Sequence, residues 1–130
     1  MLRYKLSLFL FTFLIIQSSA QLRDRISLSG EWQFFKGDTE TSSQVEHVTV
    51  PHSWNAQDGT TADYYRGKGT YRYNFDLPKN TGKKRIFLRF EAVSQEADVF
   101  LNGQYLGNHK GAFNAFCFEI TPYLKKKGNE

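Results

Sequence analysis

Three carboxylates that lie close together in the sequence are the first candidates for chemistry. Glu91, Glu96 and Asp98 fall within one short stretch. Hydrolysis of a glycosidic bond needs two such groups on either side of the scissile bond, one as acid and one as base or nucleophile. These pairs work inside a cleft, whereas the three carboxylates here belong to outward-facing strand positions and a loop. We predict that none of them is catalytic.

The histidines and the cysteine form no reactive set. His47, His52 and His109 are far apart and lack partners at ligand spacing, so we expect no metal site and no cofactor. Ser53 follows His52 in extended sequence, where adjacent side chains point to opposite faces and cannot act as nucleophile and base. Cys117 is the single cysteine, so it forms no internal disulfide. We predict that it is a packing residue rather than a nucleophile.

The best binding chemistry lies in residues 52–69, which we call the long loop. This stretch has no alternating pattern and is rich in Asn, Asp, Gly, Thr and Tyr. Loops of this length inside a domain are usually functional or disordered. Its aromatic residues argue against disorder. If the chain binds a ligand, we expect it to bind here.

The elements that must position this loop are predicted to be short strands. In the strongest local signal, Asn102-Gly103 suits a two-residue hairpin turn with positive φ at both positions. No segment has the period of an amphipathic helix of three turns. Seven strands with turn signals between them indicate an all-β, antiparallel β-sandwich. The predicted strands are residues 28–36, 45–50, 71–76, 86–91, 97–101, 104–107 and 116–120.

Residues 1–20 are predicted to be a secretory signal peptide. A short basic start precedes an apolar run at residues 6–16, and small residues lead to Ala20. The run is shorter than the roughly 20 residues of a membrane-spanning helix, so we expect no stable membrane span. The exported chain would begin at Gln21 and reach the periplasm or the extracellular space.

The charge of the chain gives little reason to expect a nucleic-acid partner. Removal of the leader lowers the formal net charge from +4 to +2. Two basic runs, at residues 83–85 and 125–127, lie at predicted strand ends or turns, where charged runs are usually just solvated.

Five motifs follow one another in order along the chain. They are GEWQF at residues 30–34, VPHSWN at 50–55, YRGKGTYR at 65–72, LRFEAV with VFLNG at 88–103, and GNHKG at 107–111 with Phe116 and Ile120-Thr121. Together they resemble the N-terminal domain of glycoside hydrolase family 2, which contains β-galactosidases, β-glucuronidases and β-mannosidases. The resemblance implies a jelly-roll sandwich of the galactose-binding-like type, called the sugar-binding domain, which in the family is followed by an immunoglobulin-like domain and a TIM barrel.

The resemblance implies sugar binding without catalysis by this chain itself. The catalytic glutamates of the family lie in the barrel, so no catalytic residue is expected here, and the long loop is expected to reach the rim of the sugar subsite. We predict Asp58 and Arg66 as substrate-binding residues, because a carboxylate accepts and a guanidinium donates hydrogen bonds to sugar hydroxyls. Alternatively, Arg66 braces the loop against Asp63. Trp54 is expected to anchor the loop in the core.

The family pattern would continue after Asn129 into another strand. We therefore expect residues 21–130 to be a sugar-binding jelly-roll domain that is truncated at its C-terminus and lacks its last strand. The favoured hypothesis is that the chain is the N-terminal part of an exported β-glycosidase of β-galactosidase type. The full enzyme would hydrolyse O-glycosyl bonds in β-linked glycosides or oligosaccharides, and this fragment alone is expected to be inactive. The alternatives are a free-standing carbohydrate-binding or interaction module and a fragment without function.

Overall fold

A computed structural model describes residues 23–37, 44–55, 64–79, 81–82 and 84–130. All strand pairs in these ranges are antiparallel, and one 3-10 turn, Thr121–Tyr123, is the only helical element among them. The prediction of an all-β fold is confirmed. The strands are β1 (Glu31–Lys36), β2 (Glu46–Thr49), β3 (Gly69–Arg72), β4 (Phe87–Phe90), β5 (Glu96–Leu101), β6 (Gln104–Lys110) and β7 (Phe116–Glu119).

The strands form three antiparallel groups. β1 lies between β2 and β3, with Trp32 opposite Val48 and Phe34 opposite Tyr71. β4 pairs with β7, and β5 pairs with β6. The β1 centre is thus hydrogen-bonded on both sides, which places its middle residues deep in the domain.

The core is formed by apolar residues at alternating strand positions. Phe34 and Leu101 are almost fully buried, at 0% and 1% exposure. Phe35 points to the other face of β1 and is also buried, and the guanidinium of Arg72 lies 5.7 Å from its ring centre. Arg72 is held there by an ion pair with Glu130 at 3.2 Å. Both faces of β1 are therefore covered.

The hairpin between β5 and β6 has the predicted turn. Asn102 and Gly103 have φ angles of 53° and 81°, as a two-residue turn of this kind requires. Val99 and Leu101 share the buried face of β5, as their alternation predicts. β6 continues to Lys110, further than its sequence pattern indicates.

Two sequence predictions are wrong. β3 ends at Arg72 and does not continue to residue 76; Phe75 instead exchanges backbone hydrogen bonds with Asn129, at 2.9 and 3.0 Å. Cys117 is exposed rather than packed, because Phe116 and Phe118 occupy the inner positions of β7 and Cys117 alternates with them opposite Arg89.

Candidate functional site

The start of the long loop and the strand that follows the loop pack on one aromatic ring of β1. The Phe34 ring has its centre 5.1 Å from the centre of the His52 ring and 5.8 Å from that of Trp54, which is stacked on it. Tyr71 of β3 packs on the same ring at 4.8 Å. Trp54 is half-buried in this cluster, as expected of an anchoring residue. Residues 56–63 of the loop lie outside the described residues.

A hydrogen bond fixes the start of the loop to β3. His52 Nδ1 lies 2.8 Å from the Tyr71 hydroxyl. Burial, and to a smaller extent the negative charge of Glu46, raises the pKa of Tyr71 above its ordinary value, so its hydroxyl stays protonated at neutral pH. The phenol therefore remains a neutral hydrogen-bonding partner for the imidazole.

A glycine at the start of β3 makes room for Trp54. A Cβ atom at Gly69 would lie 2.4 Å from Cζ3 of Trp54 and 2.8 Å from Cε2 of Phe34. Both distances are far below van der Waals contact, so any side chain at this position would displace the indole. The close approach of Trp54 to the backbone thus requires glycine.

The two described ends of the loop are also tied to each other. Asn55 Nδ2 donates a hydrogen bond to the Tyr65 carbonyl at 3.0 Å, and the Tyr65 hydroxyl donates to the Lys68 carbonyl at 2.9 Å. The other side-chain atom of Asn55, Oδ1, is buried and has no hydrogen-bond partner in the described part of the chain. A buried acceptor of this kind suits a hydroxyl donor. Sequence reasoning missed Asn55, although it ends the VPHSWN motif.

Of the predicted substrate-binding residues, the structure describes Arg66. Its side chain is exposed, and its guanidinium carbon lies 5.7 Å from the ring centre of Tyr64, which is 62% exposed. Asp58 lies outside the described residues, as does Asp63 of the alternative brace. Guanidinium donors beside an accessible aromatic ring can together bind a sugar ring and its hydroxyl groups.

The three carboxylates considered for catalysis are exposed and engaged in local contacts. Glu91 accepts two hydrogen bonds from Arg89, at 3.0 and 3.1 Å, and this arginine lowers the pKa of Glu91. Asp98 accepts hydrogen bonds from Tyr105 at 3.2 Å and from Asn108 at 2.9 Å. Glu96 pairs with Lys110 at 3.1 Å.

The described ranges hold no cluster of three or more His, Cys, Asp or Glu side chains that could bind a metal ion. Within the same ranges, no helix has the length and apolar character of a membrane span.

The antiparallel sheets and the loop anchored on β1 define a jelly-roll β-sandwich with an accessible, polar and aromatic loop. The chain belongs to glycosyl hydrolase family 2: residues 15–130 match the family model for the sugar-binding domain of that family. The family and the jelly-roll fold predicted from the sequence motifs are both confirmed.

Known relatives carry glycosidase names. The chain is 39% identical to a β-glucuronidase of Bacteroides fragilis over 92% of its own length and 17% of that protein. It is 29% identical to a β-galactosidase of Thermoanaerobacter pseudethanolicus over 79% of its length and 15% of that protein.

A solved relative is β-glucuronidase 2 of Bacteroides uniformis, covalently bound to cyclophellitol-6-carboxylate aziridine. It matches with a TM-score of 0.72 and 34% identity, over 80% of this chain and 13% of that one. The chain therefore spans less than a fifth of the length of these relatives, and what it shares with them is the sugar-binding domain.

Proposed function

We propose that this chain is the N-terminal, carbohydrate-binding part of an exported β-glycosidase that hydrolyses O-glycosyl bonds. The observation that carries the proposal is the match of residues 15–130 to the sugar-binding domain of the family, together with 39% identity to 17% of a β-glucuronidase. Downstream immunoglobulin-like and barrel domains would supply the acid/base and nucleophile. Residues 1–20 would direct export to the periplasm or beyond.

Within this enzyme, the long loop would contribute binding groups at the rim of the sugar subsite. Arg66 donates to sugar oxygens, and Asp58 accepts from sugar hydroxyls. Trp54 would fix the position of the loop that carries these groups, because it stacks on Phe34.

The sugar is proposed to be a β-glucuronide, with a β-galactoside as the second candidate. The two sugars differ at C6, which carries a carboxylate in one and a hydroxymethyl group in the other. A guanidinium binds a carboxylate through two parallel charge-assisted hydrogen bonds, so the exposed Arg66 favours the glucuronide. The β-galactosidase type expected from the sequence is supported by the similarity to the Thermoanaerobacter enzyme.

Activity assays on the protein expressed from the whole gene test the proposal. We expect turnover of 4-nitrophenyl β-glucuronide or β-galactoside by that protein and none by residues 21–130 alone. Intact mass spectrometry of the exported product should give a species several times heavier than residues 21–130, beginning at Gln21. Turnover by residues 21–130 alone, or an exported product of only that length, would contradict the proposal; the latter would favour a free-standing binding module.

A further inference from the structure

A basic cleft lies between two segments that are far apart in the sequence. Its volume is about 470 Å³, and it is formed by the turn that follows Phe75 and by the basic run near the end of the chain. None of the described residues of the long loop lines it. The main lining residues are Leu77, Pro78, Lys79, Thr81, Lys126 and Lys127.

Backbone contacts fix the two walls of this cleft. Phe75 and Asn129 exchange backbone hydrogen bonds at 2.9 and 3.0 Å, and the Gly128 N–H donates to the Asp76 carboxylate at 2.8 Å. Asn129 is fully buried at this junction. These bonds hold the two segments that carry the lining residues next to each other.

The charge in the cleft is uncompensated. Lys79, Lys126 and Lys127 are exposed, and none of them has an ion-pair partner in the described part of the chain. Two other exposed lysines do form ion pairs, Lys84 with Asp24 and Lys110 with Glu96. Three ammonium groups around one concavity attract anions, and none of the described side chains that line it is a carboxylate.

We propose that this cleft binds an anionic segment of a polysaccharide. Sulfate or carboxylate groups of the glycan would contact the three lysines, and a sugar ring would lie on Leu77 and Pro78. Its volume falls within the roughly 300–1,000 Å³ range of small-ligand sites. Single-stranded nucleic acids are typically bound on aromatic platforms, and no aromatic side chain is found among the described residues that line the cleft. The choice of a glycan among polyanions rests on the proposed function.

Calorimetric titration of the whole protein tests the cleft. The probes are a heparin oligosaccharide for sulfate groups, an oligogalacturonate for carboxylates, and a cello-oligosaccharide of equal length as the neutral control. We expect one or both acidic oligosaccharides to bind, with affinity that falls as salt is raised, and the neutral one not to bind. The double variant Lys126→Gln/Lys127→Gln should weaken binding by about tenfold, because exposed ion pairs contribute little each.

Lys110→Gln is the matched control, because it removes the same charge from the β5–β6 hairpin and should leave the affinity within about twofold. Three results would overturn the proposal. The control could weaken binding as much as the double variant does, the neutral oligosaccharide could bind as tightly as the acidic ones, or single-stranded DNA of the same length could bind more tightly than they do. Turnover of a 4-nitrophenyl glycoside should be unchanged in the double variant. Absence of turnover in the unmodified protein would contradict the proposed function and leave the titration result intact.

Discussion

Asn102 donates a hydrogen bond from its side-chain amide to Oδ1 of Asn129 over 3.1 Å, and this bond joins the β5–β6 turn to the segment that pairs with Phe75. Asn129 is fully buried, yet both ends of its amide are satisfied. Oδ1 also accepts from the Lys125 N–H, and Nδ2 donates to the Lys125 carbonyl, both at 2.8 Å. One polar side chain thus connects three segments inside the domain.

Asn129→Ala should destabilise the domain by about 2–3 kcal/mol, because it removes the partners of the part-buried N–H and carbonyl of Lys125 and one of the hydrogen bonds of the Asn102 amide. We expect faster hydrogen exchange of the Phe75 and Asn129 amides in the whole protein, together with a lower unfolding temperature of this domain. Asn108→Ala is the control. Asn108 is exposed on β6, and its replacement should change stability by less than about 0.5 kcal/mol. Equal effects of the two variants would contradict the role of Asn129.

Gly103→Ala should cost about 1 kcal/mol of stability through backbone conformation alone. Gly103 has a φ of 81°, and a Cβ there would meet no atom within 4 Å, so only the left-handed conformation is penalised. Denaturant unfolding measures the change. Gln104→Ala, at the neighbouring exposed position, should be close to neutral. A loss larger than about 3 kcal/mol would mean that the turn packs against something else.

Gly69→Ala should act by steric conflict, with an expected cost of about 1–3 kcal/mol. The new Cβ would push the Trp54 indole off Phe34, and the loop ends would move with it. The emission of Trp54 should shift to longer wavelength as the ring becomes solvated. Gly30→Ala is the matched control, because its Cβ would lie 3.2 Å from the Tyr73 hydroxyl, the far end of a side chain. An unchanged spectrum in Gly69→Ala would contradict the anchoring role of Trp54.

Under the proposed function, Arg66→Gln should raise the KM of the whole enzyme by about tenfold and leave kcat nearly unchanged, since it would remove charge-assisted hydrogen bonds to the sugar in both ground and transition states. Asp58→Asn should act in the same direction. Arg89→Gln, which removes an exposed arginine bonded to Glu91, serves as the control and should not alter KM. If Arg66 instead braces the loop against Asp63, its replacement would lower the unfolding temperature and leave substrate binding unchanged.

The ion pair between Arg85 and Glu119 predicts a pH dependence of stability at the start of β4. Hydrogen bonding to Arg85 lowers the pKa of Glu119 below its ordinary value of 4.5. The folded state thus favours the carboxylate form of Glu119. The stability that the ion pair contributes is therefore complete above about pH 4.5, and it is lost as the pH falls through the lower pKa that Glu119 has in the folded state. Glu119→Gln should be less stable than the natural protein at neutral pH and equally stable in strong acid.

Hydrogen exchange of the β4 and β7 amides measures this difference. Glu46→Gln is the control, because Glu46 is exposed on β2 and lies outside this pair. If the difference in stability between the natural protein and Glu119→Gln became larger in acid, the pH dependence would have the wrong sign and the proposed effect of the ion pair would be refuted.

The elements that sequence reasoning located are those set by local chemistry. Asn102 and Gly103 specify their turn because few other residues tolerate positive φ. The alternation of Phe116 and Phe118 fixes the face of β7. The end of β3 was missed because it depends on the pairing of Phe75 with Asn129, which is remote in the sequence.

In the candidate site, too, the features that follow from local sequence could be predicted, and those that depend on distant contacts could not. The long loop could be identified from its composition, and Trp54 from its position beside a strand end. Asn55 could not, because its role arises from a contact with Tyr65 across the loop and from the burial of its Oδ1. Likewise, Asn129 in the sequence Lys-Gly-Asn-Glu looks like an ordinary turn residue, and only the folded chain shows it buried among backbone groups.

The attachment of the β5–β6 turn links residues that are made at different times during synthesis. Asn102 bonds to Tyr123, Asn129 and Glu130, which follow it by 21, 27 and 28 residues. Hairpins close through neighbouring residues, on a timescale of about 1–10 μs. The residues that bind the side chain of Asn102 are therefore made after the turn itself, and a chain interrupted before Tyr123 would leave that side chain without any of these three partners.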